Sequence, residues 1–216
     1  MKKRILCFGD SLTWGADPAS GARFEDGVRW PTVLQERLGG GYVVIEEGQG
    51  GRTIASDDPS EGEKNGIRYI LPCLETHTPF DLLIIMLGTN DCKRKYAYSV
   101  QDISWEMERF LEKVMTHRHF ACQDQYDVLL VSPPLISEAV CRSWLGDLFG
   151  YEEGVRKSRA LASCFRPLAE RYGCLFLDAA EYSAVSDLDG IHLDGENQRK
   201  LGVAIADFIR AQASKL

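Results

Sequence analysis

The chain has 216 residues, 44% apolar and 26% charged, which is the composition of a folded protein with a sizeable core. A formal charge of -7 argues against nucleic acid or an anionic membrane surface as the main partner. No apolar run approaches the length of a membrane span, and the basic start Met1 to Arg4 leads into an apolar run that breaks at Gly9-Asp10, too early for a signal peptide.

Ile5-Leu6-Cys7-Phe8 is a short continuous apolar run, as expected of a strand buried on both faces of a parallel sheet. It stops at Gly9, and Asp10 and Ser11 are types that favour a strand end or a helix N-cap. A serine at this place has two readings. One is a capping residue with no chemistry. The other is a nucleophile at the carboxyl edge of the sheet, with the N–H groups of a helix start facing any anion formed there.

Asp17 to Val28 reads as surface loop. Arg29-Trp30-Pro31 opens a helix through Leu38, with Pro31 in its first turn and Gly39-Gly40-Gly41 ending it. Tyr42 to Glu46 is the second strand, followed at once by the flexible turn Gly48 to Thr53. Asp57 to Gly66 is polar loop, and Ile67 to Thr76 reads as a short helix around Pro72. Phe80 to Leu87 is the clearest buried strand and ends in Gly88-Thr89-Asn90-Asp91.

Val100 to Thr116 has helical spacing, with Ile103, Met107, Phe110, Leu111 and Val114 on one face. Tyr126 to Val131 is the fourth strand, and Ser132-Pro133-Pro134 forces an extended exit. Ser137 to Tyr151 is ambiguous between a loop and a helical excursion. Glu152 to Tyr172 is helical apart from Pro167, Cys174 to Leu177 is the fifth strand, and a loop from Asp178 to Asn197 precedes a last helix, Gln198 to Ala213. Strands alternating with helices predict a three-layer α/β/α domain, residues 1–216, around a mainly parallel sheet. Strand order cannot be read from this pattern.

Four strand-end or loop stretches carry reactive groups. Acyl transfer from a serine needs a nucleophile, a base, an orienter for that base and donors for the oxyanion. Ser11 supplies a hydroxyl, Gly51 a backbone N–H unobstructed by a side chain, and Asn90 an amide. Asp189 and His192 supply a carboxylate and an imidazole at i and i+3, close enough to meet in one turn.

The motifs Gly9-Asp10-Ser11-Leu12, Gly48-Gln49-Gly50-Gly51, Gly88-Thr89-Asn90-Asp91 and Asp189-Gly190-Ile191-His192 occur in the order of the blocks of the SGNH, or GDSL, hydrolases, which the sequence resembles over nearly its whole length. The stretches Arg4 to Gly15, Val44 to Gly48 and Ile84 to Asp91 are most similar to bacterial arylesterases of that family that also transfer acyl groups. The resemblance implies a flavodoxin-like sandwich with strand order 2-1-3-4-5. It implies Ser11 as nucleophile, His192 as general base and acid, Asp189 as its orienter, and an oxyanion hole of the Ser11 and Gly51 N–H groups with the Asn90 amide. Asp10 and Trp14 are the candidates for substrate contact, Asp10 also as a brace for the Ser11 turn. No cofactor or metal is required.

Other residues have plainer readings. Asp91 is expected to be structural, Asp189 has the rival role of a turn residue, and His77 reads as a loop residue near Pro79. His117 and His119, with Cys122 nearby, read as solvent-facing rather than metal-binding. Trp30 and Trp105 read as core or interface, and the stretch Trp144 to Phe149 as a lid or a subunit contact. Seven cysteines without a C-x-x-C pair suggest core thiols in a reducing compartment, the cytoplasm by default.

The leading expectation is a serine esterase for small acyl esters, with acyl transfer to alcohols as an added capacity and a homo-oligomeric assembly if the resemblance extends that far. A carbohydrate O-deacetylase is the near alternative. A non-catalytic module binding phosphate at Ser11 is the distant one, and it has no use for Asp189 or His192.

Overall fold

The computed structural model describes residues 2–122 and 125–212. Five parallel strands, β1 (Lys3–Gly9), β2 (Tyr42–Gly48), β3 (Leu82–Met86), β4 (Asp127–Ser132) and β5 (Leu175–Asp178), form one sheet in the order 2-1-3-4-5. β1 sits between β2 and β3 in register, Gly9 standing opposite Gly48 on one side and Met86 on the other. The chain therefore reverses its direction of winding at β1, and the ends of β1, β2 and β3 open on one crevice, where α/β sheets bind ligands.

Side chains alternate across the sheet with period two. Leu6, Phe8, Leu83 and Ile85 pack with α3 (Gly66–His77), α4 (Val100–Cys122) and α6 (Glu152–Tyr172). Ile5, Cys7, Ile84 and Met86 pack on the other face with α2 (Trp30–Leu38) and α7 (Gly195–Gln212). Both faces are covered, so the central strands read as unbroken apolar runs. No helix among the described residues is long and apolar enough to cross a membrane.

Several boundaries differ from expectation for local reasons. α4 continues to Cys122, because no Pro or Gly interrupts it after the apolar face ends at Val114. α7 starts three residues early, since Asp194 Oδ1 accepts the Asn197 N–H at 2.8 Å and its carbonyl accepts that of Gln198. The expected end of that helix, Ala213, lies outside the described residues, as does Met1. The ambiguous stretch 137–151 resolves into a 3-10 turn, Glu138–Arg142, and a one-turn helix α5 (Gly146–Phe149). α6 runs through Pro167. All seven cysteines are free thiols, four of them buried.

Candidate active site

β1 ends at Gly9, and Asp10 caps a one-turn helix α1 (Ser11–Trp14), its Oδ1 accepting the Leu12 N–H at 2.9 Å. Ser11 is thus the first residue of that turn rather than its cap, with an N–H that a helix start leaves without an intrahelical acceptor. α1 is anchored from the far end of the chain. The buried Gln198 side chain donates to the Leu12 carbonyl at 3.1 Å and accepts from the Trp30 N–H at 2.8 Å.

Asp189 and His192 stand in the turn between β5 and α7, held by hydrogen bonds from Ser186 N–H to the His192 carbonyl (2.7 Å) and from Ser137 N–H to the Gly190 carbonyl (3.0 Å). Asp189 Oδ1 accepts the N–H groups of Ile191 and His192, each at 2.9 Å, while Oδ2 lies 2.6 Å from His192 Nδ1. The other ring nitrogen, Nε2, lies 3.0 Å from Ser11 Oγ. Burial acts to raise the Asp189 pKa, but the hydrogen bonds from His192 and the two N–H groups outweigh it and hold the carboxyl below its ordinary range. Asp189 does serve its turn, as the plainer reading expected, and its second oxygen orients the imidazole as well.

The oxyanion candidates converge from the ends of β2 and β3. β2 comes very close to α1: a Cβ on Gly48 would lie 2.2 Å from the Trp14 nitrogen, so only glycine fits. The turn that follows is closed by Arg52 N–H on the Gln49 carbonyl at 3.1 Å, and Gly51 in its middle has φ +79°, the left-handed region that favours glycine. The Asn90 side-chain nitrogen lies 3.0 Å from the Arg52 carbonyl oxygen and 3.3 Å from Asp10 Oδ2. The second contact is the longer, and it leaves that N–H the more available to a new acceptor. Asp91 is structural as expected, its two oxygens accepting the Ile54 N–H at 3.0 and 3.2 Å.

Ser11, Gly51, Asn90 and His192 share one cleft of about 350 Å³. Trp14 lines it, together with Trp144, Leu145 and Leu148. Leu145 and Phe149 are rooted in the core at 5% and 2% exposure, so the stretch Trp144 to Phe149 forms one wall of the cleft, with Trp144 projecting from its rim. Asp10 corrects the expectation of substrate contact. It is fully buried and does not line the cleft; its side chain is engaged with the Leu12 N–H and the Asn90 amide. Burial pushes its carboxyl up to about 6, against the lowering influence of the Leu12 N–H, His192, Arg52 and Lys93.

Glu61 and Lys93, 2.9 Å apart, also face the cleft, Lys93 being almost wholly buried. Neither was expected. Glu61 sits in a polar loop and Lys93 just beyond a motif, and no local pattern marks a long side chain that reaches back to a site. His77 also departs from expectation: it ends α3 and its Nε2 contacts Glu47 Oε1 at 2.6 Å. Glu47, Cys73 and His77 are ligand types with atoms within 4.8 Å of one another. The negative charge there already faces the Arg52 guanidinium, which interacts electrostatically with both Glu47 and Cys73, so the group is better satisfied than open to a metal ion.

Comparison with known proteins bears on this arrangement. The model of the GDSL-like lipase/acylhydrolase family matches residues 7–200. The aryl esterase of M. smegmatis superposes with a TM-score of 0.88 at 42% identity, covering 97% of this chain and 99% of that one. Est24, a carbohydrate acetylesterase from Sinorhizobium meliloti, does so with a TM-score of 0.90 at 36% identity, covering 97% and 99%. A lipolytic G-D-S-L family member from Veillonella parvula shares the fold alone, at 15% identity and a TM-score of 0.65 over 99% and 100% of the two chains. No curated protein matches the sequence.

Proposed function

The chain belongs to the GDSL-like lipase/acylhydrolase family, and from that premise we propose that it is a serine esterase that uses Ser11, His192 and Asp189 on small acyl esters. The observation that carries the assignment of residues is the relay Asp189 Oδ2–His192 Nδ1–His192 Nε2–Ser11 Oγ, with steps of 2.6 and 3.0 Å.

In this reading His192 Nε2 takes the Ser11 proton as Oγ attacks the ester carbonyl, and Asp189 favours the imidazolium so formed. The carbonyl oxygen becomes an oxyanion held by the N–H groups of Ser11 and Gly51 and by the Asn90 amide. Collapse expels the alcohol, which takes the proton from His192, and leaves an acyl group on Ser11. Water, activated by the same imidazole, releases the acid, and an alcohol in its place gives acyl transfer. A module that only bound phosphate would leave the Asp189–His192 pair without a purpose.

A second reading, esterase action on acetylated carbohydrate, is favoured by the cleft's two unlike walls. Trp14 and Trp144 offer flat apolar faces, while Glu61 and Lys93 offer charged groups to hydroxyls. The test is turnover of a p-nitrophenyl ester series from acetate to octanoate beside peracetylated monosaccharides. The leading reading expects rates that fall with acyl length on the aryl esters. A preference for the sugar acetates supports the second, and no turnover of either class rejects both.

We read residues 1–216 as one catalytic domain, placed in the cytoplasm on the strength of its seven free thiols. A homo-oligomer is proposed as well, supported by Trp144 and Leu188, which are 81% and 63% exposed. A monomer mass by light scattering at micromolar concentration would reject it.

A further inference from the structure

Arg52 is a buried arginine at 3% exposure that lines no part of the Ser11 cleft, yet its bonds lead to every candidate oxyanion donor. Its Nη1 donates to the Gly9 carbonyl at 2.8 Å and also to the Glu47 carbonyl, tying the last residue of β1 to the end of β2. Its backbone N–H closes the turn that carries Gly51, and its backbone carbonyl accepts the Asn90 amide at 3.0 Å. Gly9 is two residues before Ser11, and its carbonyl also accepts the Gln49 N–H at 3.1 Å. The guanidinium carbon lies 4.2 Å from the centroid of the Phe8 ring and 5.3 Å from that of Tyr69.

Burying a guanidinium is costly unless it is well paired. Here Nη1 is spent on two main-chain carbonyls, and Nε has no partner among the described residues. An apolar side chain would fill the space between Phe8 and Tyr69 more cheaply. What it would not do is fix two strand ends at once, and lysine, a point charge without a planar fork, would not do so between two aromatic rings either. Oxyanion donors raise a rate only when held in place before the charge develops.

We propose that Arg52 is a positioning residue that sets the Ser11, Gly51 and Asn90 donors relative to one another and so tunes transition-state stabilisation. The proposal rests on the reading of these three groups as an oxyanion hole. It differs from a purely structural role, which predicts lower stability but ordinary turnover wherever the protein is folded.

The test compares wild type, Arg52→Lys, Arg52→Met, Asn90→Ala and the Arg52→Met/Asn90→Ala double variant on p-nitrophenyl acetate, well below each melting temperature. Both Arg52 variants are expected to lose about tenfold or more in kcat, with KM changed by less than about threefold. The Arg52→Met loss should shrink to less than about threefold in the Asn90→Ala background, because the two residues act on one step. Arg52→Lys keeps the charge and guards against simple unfolding. Wild-type kcat in folded Arg52→Lys and Arg52→Met, or losses that multiply independently of Asn90, would overturn the proposal while leaving the esterase reading in place. Turnover that survives Ser11→Ala would remove the esterase reading and this proposal together.

Discussion

His192 Nε2 lies 3.0 Å from Ser11 Oγ across 181 residues of chain, while its Nδ1 lies 2.6 Å from Asp189, three residues away. The short-range partner holds the ring, and in the proposed mechanism the long-range partner is the group whose proton it takes. Asp189→Asn offers an amide where the Nδ1 proton needs an acceptor, and the imidazole is then driven toward the wrong tautomer. The expected loss in kcat is about 10³- to 10⁴-fold with KM nearly unchanged. A loss below about tenfold would show that Asp189 is a turn residue only.

The turn proposed to hold an oxyanion donor depends on a backbone at Gly51 that glycine adopts most cheaply. At φ +79° a Cβ on Gly51 would also lie 2.6 Å from Glu61 Oε2. Glu61 can swing aside, so the strain of the left-handed conformation, about 1–2 kcal/mol, dominates. Gly51→Ala is expected to melt several degrees lower and to lose kcat more than it gains in KM. Unchanged kcat would show that the Gly51 N–H does not face the reacting carbonyl.

Asp91 makes stability pH-dependent in a direction opposite to that of Asp189. Burial first, with Glu106 and Asp10 adding to it against the Ile54 N–H, pushes the Asp91 carboxyl up to about 7 in the folded protein. A folded pKa above the unfolded value of about 3.9 means that its stabilising protonation is complete below that value and is lost as pH rises through about 7. Asp91→Asn stays neutral and keeps an oxygen for Ile54. Its melting temperature relative to wild type should therefore improve between pH 5 and pH 8. A constant difference across that range would contradict the shift.

The cleft wall separates binding from folding. Trp144 is 81% exposed at the rim, whereas Phe149, on the same wall, is 2% exposed and part of the core. Trp144→Ala should raise KM for aryl esters several-fold and shift stability by no more than about 0.5 kcal/mol. Phe149→Ala should cost about 3–5 kcal/mol of stability. Equal KM values for wild type and Trp144→Ala would remove Trp144 from the substrate path.

Much of this site was legible because its signals are local. Ser11 follows a short apolar run that suits a buried strand, and Asp189 and His192 are close enough in sequence to meet in one turn. The sheet order was legible only through resemblance, since alternation of strands and helices does not fix which strands pair. What stayed hidden depends on long-range reach. Gln198 secures the Ser11 turn from 186 residues away, and Arg52, Glu61 and Lys93 look like ordinary polar residues until the strand ends are brought together. Asp10 misled for a related reason. As the cap of α1 its side chain folds back onto the Leu12 N–H and is buried there, while Ser11, one residue on, lines the cleft.

The most direct measurement is hydrolysis of p-nitrophenyl acetate by wild type and Ser11→Ala, paired with mass spectrometry after treatment with a fluorophosphonate. The wild type should turn over ester and carry one phosphonyl group on the peptide containing Ser11, while Ser11→Ala should show neither. Equal turnover by the two proteins, or labelling at another residue, would contradict Ser11 as the nucleophile and with it the catalytic reading of the cleft.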